Sequence, residues 1–493
     1  MRSSGILMHI TSLPGPYGVG TMGRQAFSFV DFLKEAGQRC WQILPLTPTG
    51  FGDSPYQSCS AFAGNHYLID LDLLVEEGLL KTEELTGIRW CRKAEKADFG
   101  LLYNNRLKVL RLAYDRFRAN GGDACREYGA FLTDNQDWLM DYAAFMALKD
   151  AYGGKPWYEW APEDKSFWSG RQYSPELTED IRFYCFVQYQ FFRQWNALHT
   201  YANENGIRII GDVPIYVPLD SVEVWSQPQL FELDEKLDPI AVAGCPPDGF
   251  TEDGQLWGNP LYRWDVHEAQ GFRWWINRLR CAGKLYDVIR LDHFRGFEAY
   301  WSVPYGDETA RNGKWVKGPG MAFVQALKTG LPELPLIAED LGFLTQEVLD
   351  LRDAGQYPGM KVLQFAFDPK EPSDYLPHTY VHNSVCYTGT HDNMTMRQWF
   401  ETASEEEVEF AAAYMNLSKK EGYVWGTIRT AMASVSDTCI IQMQDYLNLG
   451  GKARMNFPGT LSDSNWTWRM KDGIISKDLA KKIREMTRRY SRI

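Results

Sequence analysis

The run Val288-Ile289-Arg290-Leu291-Asp292-His293 decides how this chain is read. It is short, mostly apolar and bounded by polar residues, the pattern of a strand buried on both faces of a parallel sheet. It ends on a carboxylate, and an acid at the end of a buried strand is costly unless it is paired or does chemistry. Two further runs repeat the pattern. They are Leu336-Ile337-Ala338-Glu339-Asp340 and Val385-Cys386-Tyr387-Thr388-Gly389-Thr390-His391-Asp392. Barrels of alternating strands and helices carry their catalytic groups at the C-terminal ends of the strands. Three such ends in succession point to an enzyme that uses acid–base or covalent carboxylate chemistry.

Working outward, the same criterion finds strand-like runs at 5–10, 40–46, 207–217, 285–293, 334–340, 360–367, 384–390 and 438–445. Helical patterns lie between many of them. Ala26, Phe29, Val30 and Leu33 follow i, i+3, i+4, i+7 spacing, and 186–204 and 265–282 read as helices. Eight strands alternating with helices give the expected class: α/β, a (β/α)8 TIM barrel, with residues 1–493 forming one catalytic unit. Residues 51–185 are too long for a connection between strands two and three. With Trp138, Tyr142 and Phe145 at helical spacing, they are expected to form an inserted, mainly helical subdomain. Residues 218–284 and 294–333 are Gly-, Pro- and Trp-rich and are expected as long loops that build a cleft at the C-terminal face of the barrel. After the last strand come a loop and an amphipathic helix carrying Leu479, Ile483 and Met486, with no C-terminal β-domain expected.

Bulk properties narrow the function. The net charge of −12 argues against a general nucleic-acid or anionic-membrane surface. No apolar run approaches the roughly 18 residues of a membrane span, and the start, Met1 to His9, is too short for a signal peptide. Nine cysteines without a C-x-x-C pair read as reduced thiols, which places the protein in the cytoplasm. The 18 Trp, 26 Tyr and 26 Phe serve a large core and also suit stacking on sugar rings.

Glu339 and Asp340 are adjacent, so on a strand they point to opposite faces, and alternation alone does not choose between them. Arg290 and Asp292 share a face, where the cation favours an ionised nucleophile. A lone Arg–Asp pair is more often structural, but three strand-end acids together favour catalysis. Two carboxylates straddling a bond, one ionised and one protonated, suit glycosidic bond cleavage, with Asp392 stabilising positive charge. A metal site built on Asp292-His293 and His391-Asp392 is the rival use. The first strand adds only His9 and no H-x-H or H-x-x-x-H pair occurs, so no metal is expected. Gly18-Val19-Gly20-Thr21-Met22-Gly23 matches a dinucleotide fingerprint, but Leu13 to Tyr17 separate it from its strand and the next strand ends without an acid. No cofactor is expected. Ser404-Glu405-Glu406-Glu407 reads as a capping box, and the basic tail from Lys481 to Arg492 as a solvated helix face.

Several longer stretches resemble one family, the amylomaltases or 4-α-glucanotransferases of the α-amylase clan. They are GILMHITSLPGPYGVGTMG at 5–23, WQILPLTPTGFGDSPYQSCSAFAGN at 41–65, GDVPIYVPLDSVEVW at 211–225 and AGCPPDGFTEDGQLWGNPLYRW at 243–264. VIRLDHFRGFEAYW at 288–301, IAEDLG at 337–342, TGTHDN at 388–393 and NFPGTLSDSNWTWR at 456–469 complete the set, in order along essentially the whole chain. The resemblance implies Asp292 as the nucleophile of a covalent glucosyl-enzyme intermediate and Glu339 as the general acid and base. It implies Asp392, with His391, as transition-state stabiliser, and Arg290 as the residue orienting the nucleophile. Tyr56 and Asp212 would line the donor subsites. His293 would join them in binding substrate. Loops carrying Asp248 and Trp257 on one side, and Asn465 and Trp466 on the other, would cover the cleft and favour a sugar hydroxyl over water. The implied activity is transfer of α-1,4-glucan segments among maltooligosaccharides and glucose by a retaining double displacement. Hydrolysis of the same glucans, a catalytically silent glucan-binding protein and, more remotely, a nicotinamide enzyme are the rivals.

Overall fold

The computed structural model describes residues 2–166, 171–247, 252–342 and 344–493. Twelve strands lie within them: β1 Ser3–Leu7, β2 Cys40–Gln42, β3 Arg208–Val213, β4 Ala241–Cys245, β5 Gln255–Pro260 and β6 Val288–Leu291. The others are β7 Ala299–Pro304, β8 Lys314–Lys317, β9 Leu336–Ala338, β10 Gly359–Val362, β11 Ser384–Tyr387 and β12 Thr438–Gln442. Eight of these run parallel in the order β10-β11-β12-β1-β2-β3-β6-β9. They are the eight runs read as strands, each shortened where the chain bends out of the ladder, as at Pro214 after β3. The edge strands β9 and β10 meet through Ala338 N–H, which donates to Pro358 O at 3.0 Å. Asp340 Oδ1 accepts Met360 N–H at 2.7 Å across the same seam. The sheet is thus nearly closed, a (β/α)8 TIM barrel; Tyr387 and Gln42 bond across its interior, while Trp41 packs outward on Phe29 of the helix Arg24–Glu35.

Between β2 and β3 run the helices Phe99–Ala119, Arg126–Asp134, Leu139–Ala151 and Pro175–Glu204. Their shared interior is aromatic. Phe117 and Phe186 lie 4.9 Å apart between ring centroids, and Tyr128 meets Tyr189 edge-on at 5.2 Å. Trp138, Tyr142, Trp157, Trp160 and Trp225 are buried too, so much of the aromatic excess serves the core.

Two long stretches differ from the expectation of loops. β4, β5, β7 and β8 form an antiparallel sheet in the order β5-β4-β7-β8, standing beside the barrel mouth. Its faces are only half covered, so its burial does not alternate cleanly: the outermost strand, β8, is exposed at three of its four residues. The helix expected over 265–282 is two helices, Trp264–Ala269 and Arg273–Leu285. Gly271 and Phe272 take left-handed φ of 63° and 54° and turn the chain between them.

The helix Lys477–Arg489 buries Ile483 and Met486 as its periodicity requires. The tail beyond it departs from the expected solvated face. Arg492 is fully buried and donates from Nε to Met432 O, from Nη1 to Ser3 O and from Nη2 to Ser434 O. Carbonyls left over where β1 begins, before β12 and at the end of a helix need a donor, and the guanidinium supplies several at once. The capping box at Ser404 and Glu407 is present, and Gly23 is the N-cap of the helix Arg24–Glu35. No helix among the described residues is long and apolar enough to cross a membrane.

Candidate functional site

β3 and β6 are neighbours in register with Asp212 opposite Arg290, so both side chains rise at the same level of the barrel mouth. Arg290 Nη1 lies 2.7 Å from Asp212 Oδ2 and 2.8 Å from Asp292 Oδ1. The guanidinium is 3% exposed, the Asp212 carboxylate 0% and the Asp292 carboxylate 27%. One buried cation therefore bridges a hidden acid and an accessible one. Burial works against the Arg290 charge, and the two carboxylates overcome it, holding the guanidinium well above its ordinary pKa. Arg290 Nε also points at Met360 Sδ, 3.4 Å away.

The chain turns immediately after Asp292. His293 adopts a left-handed conformation (φ 49°), and its backbone N–H donates to Glu339 Oε2 at 2.7 Å. Glu339 follows β9 directly, and its own N–H donates to Leu291 O at 3.0 Å, fixing the two strand ends side by side. Glu339 is half-buried at its surface but set deep among protein atoms. Desolvation pushes its carboxyl up to about 8; Arg290 opposes this and the Asp292 carboxylate adds to it. At neutral pH it holds its proton beside an acid that is paired with a cation.

Asp340 turns the other way. Arg352 Nη1 donates to its Oδ2 at 2.7 Å and Met360 N–H to its Oδ1, so it holds the barrel seam. That separates the adjacent acids, which alternation left undecided.

Asp392 lies beyond β11 with its side chain 41% exposed, and His391 Nε2 is 3.3 Å from its Oδ2. Tyr56 stacks on His391 at 5.2 Å and 14°, and Trp466 tilts against both rings at 5.6 and 5.9 Å. Tyr56 Oη donates to Asp212 Oδ2 at 2.8 Å, tying this aromatic wall to the Arg290 cluster. Trp257, on β5, meets the His293 ring edge-on at 4.8 Å. Burial drops His293 to about 4, so that ring is neutral at neutral pH. Asn465 spends its amide inside its own loop: Oδ1 accepts Phe457 N–H and Nδ2 donates to Thr460 O. Asp248 lies outside the described residues.

The structure thus gathers Asp292, Glu339, Asp212, Arg290, Tyr56, His293, His391, Asp392, Trp257 and Trp466 around one mouth. Sequence reading missed Asn456 and Arg454, which both bond to Asp392. Nothing in the local pattern marks them. Among the described residues no group of three or more His, Cys, Asp or Glu side chains is arranged to hold a metal ion.

Comparison with known proteins identifies a family. A family model described as 4-alpha-glucanotransferase matches residues 8–476. A 4-alpha-glucanotransferase of Clostridium butyricum is 50% identical over 489 residues, covering 98% of this chain and 100% of the relative. One from Thermus thermophilus is 48% identical over 505 residues, covering 100% and 99%. Among solved structures, an amylomaltase from Streptococcus agalactiae in complex with acarbose superposes with a TM-score of 0.96 at 43% identity, each chain covered in full.

Proposed function

The chain belongs to the 4-alpha-glucanotransferase family, and from that premise we propose which of its residues carry out the transfer. The enzyme moves α-1,4-glucan segments from a donor to an acceptor with retention, as its family does. In our reading Asp292 attacks the anomeric carbon and forms a covalent glycosyl-enzyme intermediate, held in line by Arg290. Glu339 gives its proton to the departing sugar oxygen, so the reducing-end part of the donor leaves as a neutral alcohol. It then takes the proton from the incoming 4-hydroxyl as that oxygen attacks the intermediate, and retention follows from two inversions. Asp392, with His391, steadies the positive charge that develops at the anomeric centre. Tyr56, Asp212 and Trp466 line the pocket for the donor sugar, and Trp257 beside His293 shields the intermediate from water. Maltooligosaccharides act as donors and both longer glucans and glucose as acceptors. The protein works without a cofactor in the cytoplasm.

The observation that carries the assignment of roles is the contrast between the two strand-end acids. Glu339 is protonated at neutral pH, and Asp292 lies 2.8 Å from a buried guanidinium. Asp292→Asn tests it. Turnover of maltotriose should vanish with the fold retained, and wild-type activity in that variant would remove Asp292 from the reaction. Hydrolysis is the competing outcome of the same chemistry, and it would appear as glucose release without longer products.

A further inference from the structure

Asp392 is gripped by the segment that follows β12. Asn456 Nδ2 donates to Asp392 Oδ1 at 2.7 Å, and Arg454 Nη2 donates to the Asp392 backbone carbonyl, also at 2.7 Å. Arg454 Nε donates to Asn456 O at 2.7 Å, its guanidinium lies 4.2 Å from the centroid of Phe457, and Asn456 N–H donates to His391 O at 3.2 Å. Residues 454–457 therefore clamp the His391-Asp392 turn through backbone and side chain together.

The donors are placed with a chemical consequence. Arg454 spends its charge on carbonyl oxygens and leaves the carboxylate oxygens to others. Oδ1 is taken by a neutral amide, which fixes the rotation of the carboxylate. Oδ2, beside His391, stays available on a side chain that is 41% exposed. The titratable and charged groups facing Asp392 are His391 next to it, Arg454 from this segment and Tyr56 from the loop after β2. The same segment seats the aromatic wall, since Trp466 N–H donates to Met455 O at 2.7 Å.

We propose that Asn456, braced by Arg454, is a positioning residue that sets the Asp392 carboxylate for the transfer reaction. This rests on the reading that Asp392 acts on the sugar. Asn456→Ala, Asn456→Asp and Asp392→Asn, each checked by circular dichroism and thermal melting, are compared in maltotriose disproportionation across pH. Asn456→Ala should lower kcat about 10- to 100-fold, as a misplaced catalytic group does, with little change in KM or melting midpoint. Asn456→Asp places a second carboxyl at hydrogen-bond distance, and such a pair holds on to one proton. The acid limb of kcat/KM should then move to higher pH by about one unit or more, an effect that no merely structural role produces. A wild-type acid limb in Asn456→Asp, or wild-type kcat in Asn456→Ala, beside an inactive Asp392→Asn, overturns the inference alone. Full activity in Asp392→Asn overturns the role of Asp392, and this inference with it.

Discussion

Replacing Glu339 by glutamine removes one titrating proton and almost no volume, so its effects on turnover and on stability can be worked out separately. A general acid is worth about 10²- to 10⁴-fold in rate, or roughly 3–5 kcal/mol of barrier, and kcat on maltotriose should fall by that factor. Stability should move the other way. Desolvation raises the Glu339 carboxyl from 4.5 to about 8, so at neutral pH the folded protein holds a proton that the unfolded chain releases. Wild-type stability therefore declines as pH climbs from about 4.5 to about 8, and below that window the acid costs nothing. At pH 7 the span is about 2.5 pH units at roughly 1.4 kcal/mol each, a ceiling near 3.5 kcal/mol. Solvent reaching the half-buried group reduces this to about 1–2 kcal/mol. Glu339→Gln removes the cost. Its melting midpoint should exceed wild type by about 1–4 °C at pH 7–8 and match it near pH 4.5. Two assays follow: scanning calorimetry of both proteins at several pH values, and kinetics with maltotriose against α-maltosyl fluoride, whose leaving group needs no proton. The fluoride should recover the first chemical step in the variant. The reasoning fails if the two melting curves keep a constant separation across pH and the fluoride is turned over no faster than maltotriose.

In the wild type, kcat/KM on maltotriose should fall on the alkaline side near pH 8, because Glu339 must enter the reaction protonated; a profile flat to pH 9.5 would contradict this. Asp292→Asn should lose at least about 10⁴-fold in turnover, and mass spectrometry with the fluoride donor should find no glycosyl-enzyme. Tyr56→Phe deletes the 2.8 Å donation to Asp212 and should cost about 1–2 kcal/mol in kcat/KM, near tenfold; unchanged kinetics would make the tyrosine packing alone. Arg492→Ala takes this donor from the carbonyls of Ser3, Met432 and Ser434, the last two of which keep donation from Arg2 Nη2. It should destabilise the fold by about 3–5 kcal/mol while activity per folded molecule stays intact, since these groups lie at the end of the barrel away from the acids.

What the sequence made legible was local. Short apolar runs bounded by polar residues revealed all eight barrel strands, because a strand buried on both faces writes a continuous apolar signal. The same logic fails for β4, β5, β7 and β8, whose half-exposed faces mix charge, glycine and tryptophan. The break at Gly271-Phe272 lies inside an otherwise periodic helix, where the residues needed for a left-handed turn are too few to announce it. Glu339 and Asp340 had to part company on a strand, but which one faced the mouth depended on Arg352 and the Met360 N–H. Those partners lie 12 and 20 residues further along the chain. Asn456 was hidden for the same reason, since its bond to Asp392 spans 64 residues. Arg492 shows the converse error: a basic tail usually seeks water, and here backbone carbonyls at the start of β1 and the end of a helix draw it inside.

The central claim is that each glycosidic bond broken by this site is remade on a sugar hydroxyl. Incubating the purified protein with maltotriose alone, while following product lengths and total reducing ends together, tests it directly. The account predicts glucose together with a ladder of longer maltooligosaccharides at constant reducing ends. Reducing ends that rise with no ladder would show water as the acceptor and contradict it.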